Sequence, residues 1–517
     1  MDEAQREGID DLAAPAGTAV VPNGRATMAQ GRGRRLRLVA LAPLLALVAL
    51  LCWSIASPMG SSPDDDYHLA SIWCGLGDRP GICAPGSDAS KRTVPEALTM
   101  SSRCYMGEPT ISAACQTDAF SLDPSKTIDT SRGSFQNNYP PLYYATMSLF
   151  VGPDILASIW VMRLVNVLLF VAITTLLYLF LPVRRRPTLL WAWILSVVPL
   201  GMFLLASNNP SAWAIIGIGS AWLALLGYFE SRGAPKVVLG VLFVVTGLMA
   251  AGSRGDAAIY LVISVAVVFI LTFMRQKVFW RDAILPIAMV VVAIAFYFSS
   301  RQANVASQGL DNPGSAATSN VMSGLGKLIN VPYLWSGVFG AWPLGWFDTV
   351  MPAVVSFGAA AAFVAVAFSG VTVRSRRKTI AVIVVAALLW LVPAFVIIQS
   401  RDAPGLPVQP RYLLPLMVLF AGLCVLQANR RPLRLTAMQA VFVMLSLAVA
   451  QSVALYYNLR RYLTGTNVKG FNLDSGVEWW WNIAISPMVV WGIGSVAFAA
   501  LVIIVVREIA RPRVVLS

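Results

Sequence analysis

The sequence predicts an all-α, polytopic integral membrane protein of about 12 transmembrane helices, and three observations carry that prediction. Of 517 residues, 57% are apolar and only 12% are charged, about half the charged share of a soluble globular chain. The mean hydropathy is +0.68. Apolar runs recur near 36–57, 157–181, 188–206, 211–229, 237–252, 257–274, 283–299, 350–372, 379–398, 411–428, 435–456 and 486–506. Each approaches the ~20 residues that a helix rising ~1.5 Å per residue needs to cross a ~30 Å hydrocarbon core. Soluble multidomain, disordered, collagen-like and disulfide-knot classes are excluded by the same composition.

The net charge of +14 and pI of 9.8 admit three causes: nucleic acid, an acidic surface or membrane topology. Position decides among them. Basic clusters follow at Arg184 to Arg186, at Arg275, Lys277 and Arg281, at Arg374 to Lys378, at Arg430, Arg431 and Arg434, and at Arg507, Arg511 and Arg513. All fall on one side if the N-terminus is cytoplasmic and every run spans, as the positive-inside rule requires. Divided by side, the charge is +16 inside and −2 outside. The basicity is a topology signal, and no nucleic-acid partner is expected.

Residues 1–35 are polar and without periodicity, which predicts a disordered cytoplasmic tail. The run 36–57 follows an arginine cluster but is too long for a signal-peptide core and has no small-x-small cleavage site, so it is expected as a retained first helix. Residues 58–153 form a long extracytoplasmic loop, and 154–506 a transmembrane domain with outer loops near 300–349 and 457–485. Residues 507–517 form a second cytoplasmic tail. Both termini are therefore expected inside a plasma membrane. Within the first loop the apolar stretch 140–152 is too short to span and reads as interfacial or re-entrant.

The loop holds Cys74, Cys83, Cys104 and Cys115. Cysteines gathered on an oxidising side predict two disulfides. Three connectivities are open, and neighbour pairing, Cys74–Cys83 and Cys104–Cys115, is the expected one. Cys52 and Cys424 lie in apolar runs as packing residues. The aromatics Tyr333, Trp335, Trp342, Trp346 and Trp479 to Trp481 suit an interfacial belt, with sugar stacking as the sharper alternative.

Two constellations carry chemistry. The first is Ser62-Pro63-Asp64-Asp65-Asp66-Tyr67-His68, with the only histidine in the chain. Helix capping by Ser62 and Asp65, with Pro63 at the first helical position, explains one or two carboxylates. It does not explain three and a histidine. Asp64 and His68 are four apart and share a helix face, able to hold a divalent cation (Mg, Mn or Ca) or present a carboxylate base to a hydroxyl. The second is a set of arginines at outer helix ends, Arg163, Arg254 and Arg411. Arginine at a membrane edge needs a partner: an acid, as Asp256 for Arg254, or a phosphate, which guanidinium binds bidentately. Phosphate-loop, dinucleotide, zinc and serine-hydrolase motifs are missing from the sequence.

Four motifs in order support a family resemblance. Pro63-Asp64-Asp65-Asp66-Tyr67-His68 resembles the P-D-E-x-x-H signature after the first helix of a bacterial multi-spanning family of unknown function, grouped with the GT-C glycosyltransferases. Asn138-Tyr139-Pro140-Pro141-Leu142-Tyr143-Tyr144, Gly340 through Trp346-Phe347-Asp348, and Val408-Gln409-Pro410-Arg411-Tyr412-Leu413-Leu414-Pro415 agree with it. Asp65 stands where the family has glutamate, and Pro410 where its Q-G-R-Y motif has glycine. The resemblance implies a GT-C-like glycosyltransferase that takes sugar from a polyprenyl-phosphate donor to a cell-envelope glycan or lipid acceptor. It implies Asp64 as catalytic base or metal-linked carboxylate, Asp65 beside it, and Arg411 on the donor phosphate with Arg163 second. His68, Tyr143, Arg254 and Tyr412 join the substrate-binding set. The rival readings are a transporter or lipid flippase and a non-catalytic envelope scaffold.

Overall fold

The computed structural model describes residues 38–116, 122–304, 324–373, 375–400, 408–427, 433 and 435–510. The tail expected at 1–35 and the basic residues Arg374, Arg430, Arg431, Arg434, Arg511 and Arg513 lie outside them. The chain starts α1 (Ala42–Ile55) with a proline in its first turn, where the missing amide costs nothing. The first loop follows, with α2 (Asp65–Trp73), β1 (Ala84–Pro85), β2 (Arg92–Pro95), α3 (Glu96–Met100), β3 (Thr127–Thr130) and α4 (Leu142–Ser148). Then come α5 (Ile155–Phe180), α6 (Arg186–Ser196), α7 (Leu200–Leu205), α8 (Ser211–Glu230), α9 (Ala234–Ala251), α10 (Gly255–Thr272) and α11 (Lys277–Phe298). The last are α12 (Gly324–Ile329), α13 (Val331–Val338), α14 (Ala353–Val371), α15 (Arg376–Ser400), α16 (Pro410–Val425), α17 (Ala437–Leu463) and α18 (Pro487–Ala510).

Nine of the described helices are long and apolar enough to span: α5, α8, α9, α10, α11, α14, α15, α17 and α18. The other three expected spans are shorter. α1 has 14 residues and α16 has 16. The run 188–206 divides into α6 and α7, because Pro199 has no amide to continue the helix and its ring crowds the preceding turn. The eleventh segment reaches beyond its expected end to Leu463, so Arg460 and Arg461 are helical rather than in a loop.

α8 is the central helix, with 89% of its apolar window buried; a helix apolar all round has to be enclosed. It packs on α9, α10 and α16, while α1 packs on α18 and α5, and α14 on α17. Close approach of α8 to α9 needs Gly217, where a Cβ would sit 2.7 Å from the Ala250 Cβ and the Thr246 carbonyl.

The basic turns gather at one end. Arg185, at the start of α6, donates through Nε (2.9 Å) and Nη2 (2.6 Å) to Glu230 at the end of α8, and through Nη1 to the Gln427 carbonyl beyond α16. Arg377 on α15 donates to the Leu271 and Phe273 carbonyls where α10 ends.

At the other end, the first loop contains a small antiparallel sheet, order β1-β2-β3, that composition gave no reason to expect. Thr93 lies opposite Ala84 and Asp129, and Val94 opposite Ile128. Both expected disulfides form, Cys74–Cys83 with Cα atoms 5.3 Å apart and Cys104–Cys115 at 6.0 Å. Cys52 and Cys424 are free and buried, as packing residues.

Candidate functional site

The site is built on the strand of chain that joins α1 to α2. Irregular backbone inside a protein must find a partner for each carbonyl, and here distant side chains supply them. Arg163 on α5 donates to Ser54 (2.8 Å), Ser57 (2.7 Å) and Pro58 (2.8 Å). Trp481 takes the Ile55 carbonyl and Asn458 that of Ala56. Tyr105, in the loop closed by Cys104–Cys115, and Gln116, the residue after it, both reach Met59. Trp346 reaches Gly60, Tyr462 reaches Ser61, and Asn209 with Arg411 holds Pro63. The chain therefore arrives at Asp64 with its path fixed from three helices, α5, α16 and α17, and four connecting segments.

Asp64 is the N-cap of α2 and has φ +60°, a left-handed conformation rare for a residue other than glycine. Strain of this kind costs about 1–3 kcal/mol and persists only where surroundings impose it. Its effect is to turn the Asp64 side chain away from Asp65. Asp64 keeps one-third of its side chain exposed. Its Oδ2 accepts from Arg411 Nη2 and its Oδ1 from Arg132 Nη2 at 3.2 Å. Burial opposes ionisation, but Arg411 and Arg132 overcome it and hold the carboxyl well below the usual range. In the free protein it is therefore ionised at neutral pH.

Asp65 faces the other way and is 1% exposed. It accepts from the Ser62 hydroxyl and, at 3.2 Å, from the Ser62 amide, so it braces the turn and does not reach the accessible space beside Asp64. The expected helix start shifts accordingly: Asp64, not Ser62, is the cap. Burial pushes the Asp65 carboxyl up to about 6, with the Ser62 bonds pulling back. Its unfolded value is near 3.8, so the folded state favours the protonated form. Stability then falls as pH rises from about 4 through about 6 and stays low above that. Asp65→Asn does not titrate, and it is expected to be more stable than wild type at pH 7.5 by about 1–3 kcal/mol. The gap should vanish at pH 4 or below in thermal melts. An equal gap at both pH values would refute the buried carboxyl as its cause.

Asp66 forms a forked pair with Arg132, Nε to Oδ2 at 2.8 Å and Nη2 to Oδ1 at 3.0 Å. His68 is fully buried in a box of Tyr67, Tyr139 and Tyr144, with Nδ1 2.9 Å from the Tyr144 hydroxyl. Burial, reinforced by Arg411, Arg254 and Arg132 against Asp64, holds its pKa well below the usual value. It is neutral at pH 7. The Asn138–Tyr144 motif thus acts through packing: Asn138 Nδ2 donates to the Tyr67 hydroxyl at 3.1 Å.

Arg254, the N-cap of α10, makes the expected pair with Asp256, at 2.9 and 3.1 Å. Its guanidinium lies 4.3 Å over the Tyr412 ring and 5.8 Å from that of Tyr139. Arg254 Nη1 and Arg411 Nε are buried donors with no hydrogen-bond partner. Arg254 lines a cavity of about 350 Å³ between α10, α11, α15 and α16, whose head carries Tyr139, Arg254, Asp256 and Tyr412 and whose walls include Ile259, Leu391, Val392, Phe395 and Val396; Arg411 is outside that lining, its guanidinium 5.1 Å from the Tyr412 ring.

Not every expected residue meets there. Arg163 is 1% exposed and occupied by carbonyls, so it holds the path to Asp64 rather than facing it. Tyr143 is buried against Trp213 (5.4 Å) and turned from the cavity. A divalent cation does not fit Asp64 and His68: both carboxylate oxygens already face guanidinium groups, which repel cations. No group of three potential His, Cys, Asp or Glu ligands occurs among the described residues. Arg132 was not singled out by sequence, because nothing distinguishes it among the polar residues of the first loop.

The sequence pattern of a predicted membrane protein family, DUF2142, matches residues 47–420. The chain belongs to that family. The match runs from α1 through most of α16, so it takes in Asp64, His68, Arg132, Arg254 and Arg411. No curated protein and no solved structure matches the chain.

Proposed function

We propose that this DUF2142 chain is a glycosyltransferase that moves a sugar from a polyprenyl-phosphate donor to a glycan or lipid acceptor of the cell envelope, on the extracytoplasmic face. The observation that carries the reading is the placement of Asp64: a partly exposed carboxylate paired to Arg411, whose guanidinium shares the Tyr412 ring with Arg254 at the head of a largely apolar cavity between membrane-spanning helices. The apolar walls suit an isoprenoid chain. The unpartnered donors of Arg254, which lines the cavity, and of Arg411, which shares the Tyr412 ring with it, suit its phosphate. The expected grouping of the motif family with the GT-C enzymes is consistent with the same chemistry.

In the proposed reaction the acceptor hydroxyl hydrogen-bonds to Asp64 and attacks the anomeric carbon as the bond to the phosphate oxygen breaks. The proton goes to Asp64, and the leaving phosphate's charge is taken up by Arg411 and Arg254. Asp64 as paired is a weak base. A phosphate that draws Arg411 toward itself weakens that pairing and raises Asp64's basicity when the donor is bound. Electrostatics thereby couples donor binding to acceptor activation.

Arg254→Gln, which removes the charge at the cavity head, is expected to raise the donor KM about tenfold with a smaller change in kcat. The assay uses purified protein in proteoliposomes with a radiolabelled polyprenyl-phosphate sugar. Cells lacking the protein should accumulate that donor and lack one envelope glycan. Movement of the intact lipid across the vesicle, without cleavage of its sugar, would favour the flippase reading instead.

A further inference from the structure

A second cavity lies far from Asp64, at the arginine-rich end. It has a volume of about 130 Å³ and is walled by the first half of α1 (Ala42, Pro43, Ala46), the last turns of α5 (Phe170 to Tyr178), α6 and the last turns of α18. The α1 residues in its wall, Ala42, Pro43 and Ala46, are small, which leaves space beside α6.

Apart from the indole of Trp193, the polar wall residues among the described ones are Thr174, Thr175 and Tyr178. Both threonine hydroxyls are turned back onto α5, Thr174 to the Phe170 carbonyl (2.7 Å) and Thr175 to that of Val171 (2.6 Å). Such a space takes hydrocarbon, not water. The mouth has the opposite character. Arg186 lies 5.1 Å over the Tyr178 ring and is anchored by the Leu179 carbonyl at 2.9 Å. Glu230 is committed to Arg185 and Arg184. Arg186 has no ion pair with a described residue, so the mouth retains positive charge. Apolar depth under an arginine matches one chain and the phosphate of an anionic lipid, as basic pockets between membrane helices do.

We propose that this groove binds an anionic phospholipid from the leaflet facing the arginine-rich end, with an acyl chain in the cavity and its phosphate on Arg186. The site is separate from Asp64 and does not depend on the glycosyltransferase reading.

The test uses the full chain, purified in detergent and incubated with phosphatidylglycerol carrying a diazirine in one acyl chain, followed by peptide mapping after irradiation. Labelling should concentrate on 171–178 and 189–197. Unlabelled phosphatidylglycerol should compete about fivefold better than phosphatidylcholine with the same chains, the advantage expected of one arginine. Arg186→Gln should abolish that preference while labelling persists. Ala46→Trp, or Thr174→Phe from the opposite wall should the first not fold, should remove labelling at these peptides without changing the melting temperature. Even labelling over other lipid-facing helices such as α14, equal competition by the two lipids, or full labelling in a folded cavity-filling variant would overturn the proposal.

Discussion

Asp64→Asn is expected to lower sugar transfer about a thousandfold, in the middle of the range for loss of a general base. The amide keeps the size of the carboxylate and loses its charge. Its oxygen can still accept from one arginine, but neither group can take a proton from the acceptor hydroxyl. The substitution also leaves Arg411, 3% exposed, beside a neutral partner, so some loss of stability should accompany the loss of rate. Both are measurable: transfer in proteoliposomes, and folded protein by thermal melt and by membrane abundance in cells. A strain that carries Asp64→Asn at normal abundance should show the glycan profile of the deletion. Wild-type product from this variant would remove Asp64 from the mechanism and with it the proposed function.

The largest effect on stability is expected at Asp348→Asn. Arg461 and Asp348 form an ion pair at 2.8 Å with side-chain exposures of 0% and 1%. Arg461 also donates to the Ile111 (2.6 Å) and Tyr105 (2.8 Å) carbonyls, and Asp348 accepts from the Gly107 amide. The pair ties the end of α17 to the disulfide-closed loop that holds Met59. Removing one partner strands a buried charge, which costs about 3–5 kcal/mol. The double variant Asp348→Leu with Arg461→Met should recover part of that loss, because no charge is then left unpaired. A double variant no more stable than the single one would show that the hydrogen bonds to the loop, rather than the stranded charge, set the cost.

Much of the fold was legible because each membrane helix has to carry its own apolar length. The nine long spans follow from runs of hydropathy alone, and the two disulfides from cysteines gathered in one loop. The misreadings have local causes. Pro199 divides a run that composition reads as continuous. α17 extends to Leu463 because Arg460 and Arg461 find buried partners among loop carbonyls, so charge did not mark its end.

The site was legible in part. Asp64, His68, Arg254 and Arg411 stood out as polar residues at helix ends, where an unpartnered charge is costly and draws the eye. Trp346 and Trp481 read as belt aromatics, yet each spends its indole N–H on a carbonyl ahead of Asp64. Arg163 read as a phosphate ligand and is a backbone clamp.

By itself, then, the sequence determined that this chain spans a membrane, which loop is cross-linked, and which short acidic segment is unusual, because those properties are sums over neighbouring residues. Only the tertiary structure decided which carboxylate is accessible. Asp64 and Asp65 are adjacent and chemically alike, and the φ of +60° at Asp64 sends one toward Arg411 and Arg132 and the other into Ser62. That turn is imposed by partners as far away in sequence as Arg411 and Tyr462, through carbonyl hydrogen bonds that no local pattern records.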